Sequence, residues 1–245
     1  MSIKMNKSGQ LTERQIYNYI ACPVKYETIY DKQLATDEYD SMPQLLKHVA
    51  MAFYTNLMNG RVLTTDELKR KWDKECEAHP DFVTAKKCIA GMGKLIQLWK
   101  WASNEQLVIC DVKVPIAHIF KGRDGKPIDV RGSIPVIAAK NGKPYILVTD
   151  FGDHYPDQTK IDMNLRYTLQ SYITLQERGE AMGIRIHNVK NDKDFFAYRM
   201  VSDYERLKST IANVACGIQN KIYYPRESPL CTICSMKEYC RGWHN

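Results

Sequence analysis

No stretch of the 245-residue chain approaches the ~18 consecutive apolar residues of a membrane-spanning helix. The opening segment MSIKMNKSGQLTERQ lacks the apolar core of a secretory signal. No internal repeat, low-complexity tract or domain boundary is visible. These absences argue for an intracellular chain of ordinary globular character, with no membrane partner. At 44% hydrophobic and 26% charged residues, the composition agrees. The formal net charge of +7 suits a polyanionic partner but does not specify one.

Eight cysteines are present. With no export signal, they are expected to be reduced thiols, some of them metal ligands. Cys76, Cys88, Cys110 and Cys216 are spread singly and read as buried small hydrophobes.

The first third is mostly helical. Thr12 is a candidate N-cap for a helix that stops at Cys22, since Pro23 disfavours helical backbone before it. SMPQLLKHVAMAFYTNLMNG carries Leu45, Val49, Ala52, Phe53 and Leu57 on one face and ends at Gly60. Two further helices follow, the second bearing Trp99 and Trp101; two positions apart, they face different sides, so at least one belongs to the core. QLVICDVKVPIAHIF, IDVRGSIPVIAA and PYILVTDFG then read as strands joined by turns at GRDGKP and KNGK. A helix ending at Gly183, two short paired strands and a helix with Ser202 as N-cap and Glu205 in its capping box complete the reading. The fold class is α/β (α+β) in one domain: helical residues 1–105 including Cys22, a β-rich core over 106–200, and a C-terminal helix with a cysteine segment over 201–245.

That last segment, YYPRESPLCTICSMKEYCRGWHN, packs Cys231, Cys234 and Cys240 into ten residues. A C-x2-C pair commonly binds zinc or an iron–sulfur cluster, and either needs a fourth ligand. His244 could complete a structural zinc site. Cys22, in YNYIACPVKY, could complete an iron–sulfur set and would staple the two ends of the chain together.

An early cysteine in this context, with a late C-x2-C-x5-C behind a proline-containing segment, resembles the iron–sulfur nucleases of the RecB-like PD-(D/E)xK superfamily. These include the AddB helicase–nuclease subunit and the CRISPR-associated iron–sulfur exonucleases. The resemblance spans nearly the whole chain. It implies a restriction-endonuclease-like core, a mixed sheet flanked by helices, and a [4Fe–4S] cluster held by Cys22, Cys231, Cys234 and Cys240 as a clasp. Zinc is the alternative occupant.

The resemblance also implies a metal-dependent catalytic frame, in which carboxylates hold divalent cations that activate water and steady the leaving oxygen. His48 takes the helical histidine position. VRGSIPVI aligns with a GxxD strand, but Pro135 stands where the aspartate belongs. YILVTDFG aligns with the (D/E)xK strand, with Asp150 as the carboxylate and Gly152 in place of the lysine. Tyr172 fits the last motif, where Thr168 replaces the glutamine and Gln170 lies nearby. Asp129 and Asp153 face away by strand alternation. Asp150 and His48 alone make a poor magnesium or manganese site.

The expectation is a degenerate nuclease fold that binds DNA, single-stranded or at a junction. It would act as an accessory subunit to a larger replication, recombination or transcription protein, in the cytoplasm of a bacterial cell or a phage-infected host. An active nuclease with a rearranged site, using magnesium or manganese, is the first alternative. A protein-interaction module with a structural cluster is the second. Phosphate contacts are sought in Lys69, Arg70 and Lys71, and contacts beside the cysteines in Tyr223, Tyr224 and Arg226.

Overall fold

A computed structural model describes residues 10–34, 41–80, 82–153, 156–234 and 236–240. It divides into two compact units, each assembled from separate stretches. The first comprises Met1–Tyr39, Ile116–Gly132 and Met200–Asn245; the second comprises Asp40–Pro115 and Ser133–Arg199. The division cuts across the three consecutive parts read from the sequence.

The first unit begins with a short strand, β1 (Gln10–Thr12), and a helix, α1 (Glu13–Ala21). Thr12 and Gln15 form a reciprocal capping box: the Gln15 N–H donates to Thr12 Oγ1 at 3.2 Å and the Thr12 N–H donates to Gln15 Oε1 at 2.8 Å. The chain bends at Cys22 into α2 (Pro23–Tyr26) and a wide turn, Glu27–Asp31. The C-terminal helix α8 (Val201–Gln219) returns to α1, where the Tyr19 ring occupies the space a Cβ would need at Gly217. Beyond α8, Tyr19 Oη donates to the Ile222 carbonyl at 2.8 Å and Arg226 Nη1 to the Ile20 carbonyl at 2.6 Å. Tyr223 Oη donates to Asp31. Three contacts more than 190 residues apart in sequence thus dock the tail on the elements flanking Cys22.

The second unit packs α3 (Met42–Met58), α4 (Thr65–Ala78) and α5 (Ala85–Asn104) with strand residues. Their apolar faces supply Leu46, Phe53, Tyr54, Trp72, Leu95 and Leu98 to a core that also takes Val136, Ala138 and Leu147. Both tryptophans of α5 join it: Trp101 is buried, and Trp99 packs alongside and donates to the Leu63 carbonyl at 2.7 Å. The strands of the chain after β1 are β2 (Val108–Lys121), β3 (Pro127–Lys140), β4 (Lys143–Asp150), β5 (Ile184–Asn188) and β6 (Lys193–Ala197), with β2 from Ile116 and β3 up to Gly132 belonging to the first unit. The sheet is mixed and six-stranded, in the order β1-β3-β4-β5-β6 with β2 also on β3. β3 pairs antiparallel with β4, and β5 with β6. β4 and β5 run parallel from Ile146↔Ile184 to Asp150↔Asn188. A parallel pair needs a crossover, here α6 (Gln158–Asp162) and α7 (Leu165–Arg178). β5 is buried throughout, as a central strand should be. This is the mixed α/β architecture expected of a restriction-endonuclease-like core.

Four local expectations need correction. The helix thought to run to Gly183 is two helices, broken at Met163 and Asn164; Asn164 caps α7, and Gly179, at φ +73°, ends it. The last helix is capped one residue before its start, where the Met200 N–H donates to Asp203 Oδ2 at 3.0 Å, and not by Ser202. Cys76 and Cys88 are not independent buried thiols: they form a disulfide between α4 and α5, with Cα atoms 6.2 Å apart. Cys110 is exposed. Among the described residues, no helix is long and apolar enough to cross a membrane.

Candidate functional site

The end of β4 is where the motif order places catalytic chemistry. Asp150 is the last residue of the strand, beside Asn188, the last of β5. Its carboxylate is met by two donors: the Gly152 N–H reaches Oδ1 at 2.9 Å and Asn188 Nδ2 reaches Oδ2 at 2.7 Å. The Asn188 amide has a fixed sense. Its Oδ1 accepts from the Asn191 backbone N–H at 3.1 Å and from Asn191 Nδ2 at 2.7 Å, so only its nitrogen can face Asp150. Asn188 is fully buried.

Cations gather round this strand end. Lys94, from α5, donates to the Phe151 carbonyl at 2.7 Å and to Asp153 Oδ1 at 2.9 Å. Lys190 donates to the Asp153 carbonyl at 3.0 Å. Lys47 lies on the face of α3 that carries Ala50 and Tyr54, and Tyr54 Oη bonds Thr149 Oγ1 at 2.6 Å, next to Asp150. Lys47 is open to solvent at its surface. Even so, desolvation by the surrounding protein pushes its pKa down, the Arg166 charge adds to the effect, and Asp150 opposes it. Arg166 stands in the first turn of α7, just after the Asn164 cap. Lys94 and Lys190 are thus bound to the loop after β4, while Lys47 and Arg166 add positive charge beside it.

The arrangement does not fit a divalent-cation site. Magnesium favours an octahedral shell of oxygen ligands with carboxylate anchors. Pro135 offers no ligand, and a cation at the inner edge of Asp150 would meet the positive hydrogens of Asn188 and Gly152. At Gly152, read from the sequence as the lysine position, an added Cβ would come within 3.0 Å of Asp150 Oδ1.

The other residues of the frame are placed as follows. His48 projects outward, 64% exposed, with Nδ1 3.1 Å from Glu75 Oε1; its neighbour Lys47 faces the strand end instead. Tyr172 is buried on α7. Thr168 is engaged with Arg199 Nε at 2.8 Å. Gln170 donates to the Ser133 carbonyl at 2.9 Å, while its Oε1 is buried without a hydrogen-bond partner. Asp129 pairs with Arg131 at 3.0 Å, and Asp153, 67% exposed, pairs with Lys94. Lys47, Lys94, Arg166, Asn188 and Lys190 were not singled out from the sequence. One of them left a trace there: Lys47 interrupts an apolar helix face.

Cys22, Cys231, Cys234 and Cys240 are all free thiols of intermediate exposure. Among the described residues, no group of three His, Cys, Asp or Glu side chains is close enough to hold a metal ion. His244 lies outside the described residues. The donor chemistry nonetheless suits an iron–sulfur cluster: four unpaired sulfurs in the same unit, with the Ser228 N–H donating to Cys231 Sγ at 3.4 Å. Cys231 and Cys234 flank a 3₁₀ turn, Pro229–Ile233, and Cys240 follows another, Lys237–Tyr239. Of the neighbouring side chains, Tyr223 stacks on Tyr26 with centroids 6.1 Å apart, so it packs inside the unit; Tyr224 is exposed. Arg226 is spent on the Ile20 carbonyl. On α4, Lys69 pairs with Asp73 at 2.6 Å, while Arg70 and Lys71 are exposed.

Comparison with curated proteins finds no match. Among solved structures, the chain is similar to the crystal structure of SSO0001, at 13% identity over 90% of this chain and 94% of that one, with a TM-score of 0.40. The sequence model of the PD-(D/E)XK nuclease superfamily matches residues 10–241. That match takes in both units, the strand end at Asp150 and the cysteine tail, and on it the chain belongs to the PD-(D/E)XK nuclease superfamily.

Proposed function

We propose that this protein is a catalytically degenerate, RecB-like member of its superfamily. In this reading it binds single-stranded or junction DNA and serves as an accessory subunit in replication, recombination or transcription, in the cytoplasm of a bacterium or a phage-infected host. The observation that carries the reading is the state of Asp150. Its carboxylate is met by two N–H donors, Lys47 lies within reach of its charge and two lysines bond the loop that follows, with proline and glycine read at the positions of the missing aspartate and lysine. A net-positive strand end attracts a phosphate backbone, and holding that backbone needs no cleavage.

Cys22, Cys231, Cys234 and Cys240 are assigned to a [4Fe–4S] cluster of the AddB type. The cluster's contribution is to lock the docked tail to the bend at Cys22.

Two assays test the functional reading. With magnesium or manganese present, the wild-type protein should leave single- and double-stranded DNA intact, as should Asp150→Ala. Cleavage by the wild type that Asp150→Ala loses would establish the rearranged nuclease instead. DNA titrations at two salt concentrations should show binding that weakens with salt. Salt-insensitive or absent binding would leave the protein-interaction module.

A further inference from the structure

The superfamily's strand end ordinarily gathers carboxylates around cations. Here the balance is reversed. Lys94 and Lys190 bond the loop that follows Asp150, Lys47 stands on the Tyr54 face of α3 within reach of the charges of Asp150 and Arg166, and the acidic oxygens are already engaged from within: Asp150 by Gly152 and Asn188, Asp153 by Lys94. The four cations come from different elements. Lys47 is on α3, Lys94 on α5, Arg166 on α7, and Lys190 follows β5, so they converge by folding and not by sequence proximity. They surround the carboxyl end of a parallel strand pair, the usual ligand-binding edge of α/β sheets. Lys94 and Lys190 are held by the loop, whereas Lys47 makes no hydrogen bond or ion pair among the described residues. Arg166 adds a planar guanidinium in the first turn of α7, where backbone N–H groups favour anions.

We propose that this strand end is a metal-independent phosphate seat, in which Lys47 and Arg166 grip one phosphate of a single-stranded nucleic acid while Lys94 and Lys190 brace the loop beneath. The proposal deepens the DNA-binding reading by naming the contact point and by requiring no divalent ion. The same chemistry would accept a terminal phosphomonoester or an internal phosphodiester.

The test uses the full chain in EDTA, with Lys47→Gln as the variant. Because Lys47 anchors nothing, its replacement should leave the circular dichroism and melting temperature unchanged. The probes are a single-stranded oligonucleotide, with and without a 5′-phosphate, and inorganic phosphate. Wild type should bind the oligonucleotide in EDTA. Lys47→Gln should bind about tenfold more weakly, with a log K against log salt slope shallower by about 0.7, the loss of one phosphate contact. A 5′-phosphate preference that the variant loses supports the seat and assigns it to strand ends. Equal binding of both oligonucleotides with the same slope change supports it and assigns it to internal phosphates. Unchanged affinity and slope in Lys47→Gln overturn the seat and leave DNA binding elsewhere on the protein. Binding that EDTA abolishes overturns it in favour of a metal site. If no oligonucleotide binds at all, the DNA-binding reading fails. The seat then stands only if inorganic phosphate raises the melting temperature of wild type and not of the variant, and it falls if neither responds.

Discussion

At Asn188 a single amide decides what Asp150 can face. Asn191 holds the oxygen, so the nitrogen points at the carboxylate. The same strand carries a second buried polar group, Arg185, whose Nη2 bonds Glu105 at 2.8 Å and also Asp194. Hydrogen bonds from Arg185 and Lys140 hold Glu105 below its ordinary pKa. Desolvation pushes Asp194 up, but hydrogen bonds from His187 and Arg185 outweigh it and leave Asp194 depressed as well. Carboxylates depressed by folding contribute stability above their ordinary values, about 4, and lose it as pH falls through the folded values. Urea midpoints measured from pH 5 down to pH 2 should therefore drop below about pH 4. In Arg185→Leu that acid-side drop should be shallower. The residues of this site were only partly legible. Asp150, Gly152 and Pro135 could be singled out because motif order is local. Lys47, Lys94 and Arg166 could not, because a surface cation in a helix carries no sign of what the fold sets opposite it.

The helices were legible from their own chemistry. Thr12 reads as an N-cap and caps α1, and Gly60, at φ +73°, marks the end of α3. The break between α6 and α7 was missed because Asn164 lies within a run of helical pattern, and its capping role depends on a turn that pattern does not show. The α4–α5 pair supplies two predictions. A Cβ at Gly91 would fall inside the Trp72 ring, and Trp72 is fully buried, with Nε1 donating to the Cys88 carbonyl at 2.7 Å. Gly91→Ala should therefore destabilise the protein by about 1–3 kcal/mol, despite alanine's better helix propensity, as read from denaturant unfolding. The Cys76–Cys88 bridge closes a short loop, with the two cysteines 12 positions apart. Reducing it should cost roughly 3 kcal/mol on the chain-entropy model, visible as a lower urea midpoint in dithiothreitol that Cys76→Ser/Cys88→Ser no longer shows.

At the scale of the molecule, two units are interleaved along the chain, and the tail's ties to α1 and α2 are independent of any metal. Protein purified without oxygen should show the broad visible absorption of an iron–sulfur cluster, and Cys22→Ser should lose both colour and iron. Because the docking contacts remain, that variant should still fold, with a lower melting temperature. A colourless wild-type protein containing zinc would replace iron by zinc at the same cysteines. The mixed sheet was foreseeable from the family resemblance. Its division into discontinuous units was not, since periodicity is local and the partners of β1 and α1 lie more than a hundred positions away.

The docking of Tyr19 to Ile222 and of Arg226 to Ile20 also sets a timetable for biosynthesis. α1 leaves the ribosome early, yet the groups that satisfy it are made about two hundred residues later. The α3–α5 core can consolidate while the chain is still growing, but the first helix must wait for the segment around Ile222 and Arg226 to complete its packing. Nascent chains stalled short of residue 222 should thus expose α1 to protease while protecting α3 to α5, and any cluster at Cys22 can be inserted only after Cys240 has emerged.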